Sequence, residues 1–196
     1  MSAFLQDVAR LVKKHRALSG VPLGAAPAVL VELIEGTGPD RNKSGVKLPL
    51  TVVVPKRADA ERLHTALAWL LGARRPNIEV LLLPADDVRT WDGLSPHPYV
   101  PRQRLAALDR LTRGAPAIVI VPARALLQRV MTADVLTGLR LVLAKGDIIE
   151  RDDLVKRLVD RGYQATPSAD EPGTVSWRGG VVDLWPADRA EGPVRI

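Results

Sequence analysis

Three short runs of β-branched and aliphatic residues constrain this chain more than any other feature. They are Leu50 to Val54, stopped by Pro55, then Ile78 to Leu83, then Ile118 to Val121. Each is too short for a helix and too apolar to leave one side in water, so each reads as a strand covered on both faces. Helical spacing separates them. Pro27 to Glu35 reads as a short helix with proline in its first turn. A helix runs from Asp59, as N-cap, to Leu71, and others span Pro101 to Leu111 and Ala123 to Met131. Strands alternating with helices build a parallel sheet with helices on both faces, an α/β layer of RecA-like or Rossmann-like type. Ahead of this layer, Ala3 to Leu18 has helical spacing behind Ser2. Gly36 to Lys47 and Pro84 to Val100 read as loops.

The pattern changes near Gly138. A strand is expected at Leu139 to Leu143, a helix at Asp152 to Arg161, and a hairpin at 173–185. One helix against antiparallel strands makes a small α+β domain, so the expected domains are 1–138 and 139–196. Charge changes sign at the same place. The first part carries 19 Lys and Arg against 12 Asp and Glu, the second 9 against 10, within a net charge of +6. The positive charge is dispersed and only 4% of residues are aromatic, which argues against a stacking platform for single-stranded nucleic acid. With 46% hydrophobic and 26% charged residues the composition is that of a globular protein. Cysteine is absent, so disulfides and thiolate metal sites are excluded. No stretch approaches the roughly 18 apolar residues of a membrane span, and a cytoplasmic protein is expected. Gly192 to Ile196 opens a further strand and stops there, as a piece of a longer protein would.

The chemistry of an ATP-binding layer is missing. Such a layer needs Gly-x4-Gly-Lys-Ser/Thr, whose amides cradle phosphates, whose lysine reaches the terminal oxygens and whose hydroxyl holds Mg²⁺. The corresponding place reads Gly20-Val-Pro-Leu-Gly24-Ala25-Ala26-Pro27, with two glycines at the wrong spacing and alanines for the lysine and hydroxyl. Lys43-Ser44 sits in a loop without the glycines. Asp86-Asp87 follows a strand and reads as a polar strand exit. Asp152-Asp153 sits at a helix start, where negative charge complements the dipole. His15, His64 and His97 have no ligand spacing, and His97 has no serine elbow to serve. No catalytic or metal site is expected, and binding is left as the function.

The strongest binding signal is Gly173-Thr-Val-Ser-Trp-Arg-Gly-Gly-Val-Val-Asp-Leu-Trp-Pro186. Val175 and Trp177 alternate with Thr174 and Ser176, which turns Trp177 inward and makes Trp185 an anchor of the return strand. Gly179-Gly180 permits the positive φ of a tight turn, and Arg178 stands at the bend.

Taken with Lys145-Gly-Asp147, Arg151-Asp152 and Gly162-Tyr163 upstream, this run resembles the UvrB-homology module of the Mfd family, the bacterial transcription-repair coupling factors. Asp183-Leu-Trp-Pro186 stands where that family has Asp-Leu-Phe-Pro. Asp92-Gly-Leu-Ser-Pro-His97, Arg102-Gln-Arg-Leu105 and Ile118 to Val130 are similar to further motifs of the module, in the same order.

The resemblance implies a degenerate RecA-like domain followed by a UvrA-binding domain. It implies recruitment of UvrA to stalled RNA polymerase in nucleotide excision repair. RNA polymerase and double-stranded DNA would be contacted by other modules of the parent protein, an ATP-driven DNA translocase. ATP and Mg would belong to the parent's distant motor, with no cofactor in this chain. The family's hairpin arginine falls on Arg178. Its arginine after Gly-Tyr falls on Gln164 or Ala165, a departure for which Arg161, one turn earlier, is the candidate substitute. The alternative is a fragment of the UvrB subunit itself, which shares the architecture but has an intact phosphate loop and an aromatic DNA-gripping hairpin.

Overall fold

The computed structural model describes residues 20–35, 46–86, 93, 99–187 and 192–196, which fall into two compact units dividing between Val130 and Met131. The expected helix at Ala3 to Leu18, the loop residues 36–45, His15, Lys43-Ser44, Asp87 and the Ser-Pro-His segment lie outside the described residues.

In the first unit a 3-10 turn, Leu23–Ala25, leads into α1 (Ala26–Glu35). Then follow β1 (Leu50–Val54), α2 (Arg57–Gly72), β2 (Glu79–Leu82), α3 (Tyr99–Arg113) and β3 (Ala117–Pro122). The three strands form a parallel sheet in the order β1-β3-β2. β3 lies at its centre and is buried at all six positions. Its period of two separates two cores. Ile118 and Ile120 join Val31 and Ile34 of α1 and Ala60, Leu63, Leu67 and Leu71 of α2. Val119 and Val121 pack instead with Leu83 and with Ala107 of α3. A strand apolar on both sides is thus accounted for by helices on both sides, as its composition required.

Three local expectations are corrected. α2 begins at Arg57 with Lys56 as its N-cap, so Asp59 lies inside the first turn and not at the cap. Ala123 to Met131 is not an α-helix. It forms a 3-10 turn, Ala123–Leu127, and leaves that state at Gln128, whose backbone is extended. The Gln128 side chain explains the break: its Oε1 accepts from the Asp86 amide (2.8 Å) and from Arg104 Nη1 (3.1 Å). Tertiary hydrogen bonds here override good helix formers. Leu139 to Leu143 forms no strand. Leu139 ends a helix, α4 (Ala133–Leu139), whose N-cap Thr132 accepts from the Val135 amide at 3.4 Å.

The second unit continues with α5 (Arg151–Asp160) and the strands β4 (Gln164–Ala165), β5 (Thr174–Arg178), β6 (Val181–Leu184) and β7 (Val194–Arg195). They form a sheet in sequence order, with β4 parallel to β5 and the other pairs antiparallel. Leu154, Val155 and Leu158 of α5 pack on Val175, Val182 and Leu184. Asp152 and Asp153 stand in the first turn of α5, and the helix ends in a Schellman motif. There the Gly162 amide donates to Val159 O (2.9 Å) and the Tyr163 amide to Leu158 O (3.1 Å), with φ of 91° at Gly162. The Gly-Tyr pair is therefore a helix terminator. Among the described residues no helix is long and apolar enough to cross a membrane.

Candidate partner-binding face of the hairpin sheet

The turn Arg178-Gly179-Gly180-Val181 fixes everything around it. Gly179 has φ of 57°, and two residues between paired positions set Arg178 opposite Val181, Ser176 opposite Asp183 and Trp177 opposite Val182. Residues two apart share a face, so Val175, Trp177, Val182 and Leu184 point to α5. The other face then carries Thr174, Ser176 and Arg178 on β5, Val181 and Asp183 on β6, and Arg195 on β7, with Trp185 in continuation. Gln164 pairs with Thr174 and belongs to this outer face. Ala165 pairs with Val175 and belongs to the inner one.

Arg178 is exposed, and no ion pair or side-chain hydrogen bond holds it among the described residues. Val181, directly opposite, is 40% exposed. Arg151 steadies the bend from behind, its Nη1 donating to Gly179 O at 2.5 Å. The result is a free guanidinium on a braced turn, beside an aliphatic side chain. Such a group is suited to fork onto a carboxylate or backbone carbonyls of a partner.

The other expected contact residues are placed differently. Gln164 and Ala165 form the edge strand β4 and are exposed; the Gln164 amide donates to Gly173 O at 2.9 Å. Arg178 lies three residues further along the neighbouring strand than Val175, about 10 Å away at strand rise. Arg161 is engaged within the unit. Its Nε donates to Leu139 O (3.0 Å) and its Nη1 to Arg157 O (2.9 Å), closing the ends of α4 and α5.

Trp177 keeps the inward parity expected of it but is not enclosed. At 40% exposure it sits at the rim of the sheet, beyond the cluster that α5 covers. Missing from the sequence reading are the outer-face neighbours Val181, Asp183, Trp185 and Arg195. Counting by twos from the Gly-Gly turn would have found the first three. Asp183 and Arg195 form a bidentate pair, Nε to Oδ1 at 2.7 Å and Nη2 to Oδ2 at 3.0 Å. The hydrogen bond from Arg195 holds the Asp183 carboxyl below its ordinary value, against a smaller opposing effect of burial.

The degenerate phosphate loop is closed by its own backbone. Gly20 is exposed with φ of 77°, and Gly24 and Ala25 lie in the 3-10 turn before Ala26 opens α1. The Ala25 amide donates to Pro22 O (2.8 Å) and the Ala26 amide to Leu23 O. A phosphate site needs the first amides of its helix free and convergent. Here the amides of Ala25 and Ala26 are already used, and Pro27 has none. Asp86 is also taken up: its Oδ1 lies 3.3 Å from Nε of Arg104, a buried arginine that donates to Pro84 O at 2.6 Å. His64 Nε2 donates to Val80 O at 3.1 Å.

A family profile described as the UvrB interaction domain matches residues 141–196. The matched segment lies within the second unit. The α/β unit precedes this segment, and the two together are similar to proteins called transcription-repair-coupling factor. That of Myxococcus xanthus is 34% identical over 160 residues, 80% of this chain and 13% of the relative. Those of Bacillus subtilis and Escherichia coli are each 31% identical over 183 residues, 93% of this chain and 14% and 15% of the relatives. The chain thus spans about one seventh of the length of the curated relatives it matches.

Proposed function

We propose that this chain is the recruitment part of a transcription-repair coupling factor, and that its UvrB interaction domain binds UvrA at stalled RNA polymerase during nucleotide excision repair. The observation that carries this reading is the exposed Arg178, unpaired among the described residues, on the braced turn of that domain. Trp185, Val181 and Gln164 on the same face complete a surface with an apolar body and a cationic tip, the composition of a protein-binding hot spot. In this reading the α/β unit binds no nucleotide. RNA polymerase, double-stranded DNA, ATP and Mg are the business of other parts of the whole protein.

Arg178→Ala should weaken binding to UvrA by about 2 kcal/mol, roughly thirtyfold, with the circular dichroism spectrum unchanged. Biolayer interferometry with immobilised cognate UvrA measures this. Equal binding by the parent and the variant would move the recruitment surface elsewhere. Arg161→Ala separates the two arginines. Since Arg161 closes two helix ends, its loss should lower the melting temperature more than the UvrA affinity.

A further inference from the structure

Residues 141–143, expected as a strand, have the burial of a strand without its partner. Leu141 and Leu143 pack against the α5 core, while Val142 between them is 74% exposed. The backbone enters extended, with Arg140 at φ −68°, ψ 134°. None of the amides or carbonyls of Leu141, Val142 and Leu143 is hydrogen-bonded to another described residue. The chain then closes a turn, the Ala144 amide donating to Asp147 Oδ2 (2.8 Å) and the Asp147 amide to Ala144 O (3.1 Å). It returns through a fully exposed Ile148 towards α5. A groove of about 490 Å³ lies between these two passes of chain.

Unpaired backbone beside exposed aliphatic side chains is the template for addition of a strand. The charge of the groove selects what is added. Asp147, Glu150, Asp153 and Arg157 line it. Arg157 is already paired with Asp153 at 2.7 Å, which leaves Asp147 and Glu150 as its net charge. We propose that Leu141–Leu143 is a docking edge for an extended peptide of a partner protein, one that alternates aliphatic with basic residues and adds to the domain as a strand. Its backbone would satisfy the open amides and carbonyls, its aliphatic side chains would cover Val142 and Ile148, and its cations would face Asp147 and Glu150. This edge is distinct from the Arg178 face.

The test uses the whole chain and a capped hexapeptide of alternating lysine and valine. Amide exchange followed by NMR should show Leu141, Val142 and Leu143 exchanging freely alone and protected with the peptide. The glutamate–valine counterpart, and a lysine–valine peptide N-methylated at alternate residues, should each bind at least about tenfold more weakly. Val142→Pro, which removes one amide at an exposed position, should abolish the protection. The N-methylated peptide reports the same loss with the protein unaltered. Equal affinity of the acidic or N-methylated peptide, or binding without protection of 141–143, would overturn the proposal. So would a concentration-dependent dimer that buries this edge in a second copy. Arg178→Ala should leave peptide binding intact and Val142→Pro should leave UvrA binding intact, so either reading can fail alone.

Discussion

At Glu32, on α1, a carboxylate is 1% exposed and neither oxygen has a hydrogen-bond partner among the described residues. Its neighbour one turn on, Glu35, is served by Arg74 and Arg75 at 3.7 and 4.0 Å. A buried polar group without a partner is destabilising, and replacing it with an apolar group of similar volume removes that penalty. Glu32→Met should therefore raise stability by about 1 to 3 kcal/mol, read as a higher denaturant midpoint with an unchanged slope. Gly162 gives the opposite expectation. Nothing crowds a Cβ there, so only the φ of 91° opposes a side chain. Gly162→Ala should lower stability by about 1 to 2 kcal/mol, visible in thermal melts, with the fold retained.

Among the elements, β7 is the most conditional, because two residues and the Asp183–Arg195 pair tie it to β6. The folded carboxyl titrates below its ordinary 3.8. Its contribution is therefore complete above that value and is lost as pH falls through the lowered folded one. Amide exchange at Val194 and Ile196 should accelerate below about pH 4, and Arg195→Gln should remove that pH dependence. A pH-independent exchange in the parent chain would show that the pair does not hold the strand. Sequence and structure agree best where one pattern decides the element. β1 to β3 and the hairpin were legible because apolar runs and a Gly-Gly turn permit few alternatives. The helix expected at 123–131 was not, because Gln128 takes its partners from Asp86 and Arg104, more than twenty residues away. The strand expected at 139–143 failed for a related reason: its alternation is present, but no ladder joins it among the described residues. Of the candidate face, Arg178 and Gln164 were legible in the sequence. Val181, Asp183 and Trp185 follow from counting by twos from the turn, whereas Arg195 depends on the register of β7, which only the paired strands reveal.

For the whole molecule, one unit is a three-stranded parallel sheet with helices packed on it and the other a four-stranded sheet packed on α5. We expect the chain to bind no nucleotide: calorimetric titration with Mg-ATP should give no saturable heat, and a micromolar dissociation constant would refute that expectation. The same experiment on Ala25→Lys/Ala26→Thr is more informative, since it restores the cation and the hydroxyl. It too should stay silent, because the amides of residues 25 and 26 would still donate to Pro22 and Leu23. A phosphate could enter only after the 3-10 turn unwound, which side-chain replacement does not bring about. On that expectation the barrier to a phosphate lies in the main chain, beyond the reach of any single side-chain reversion.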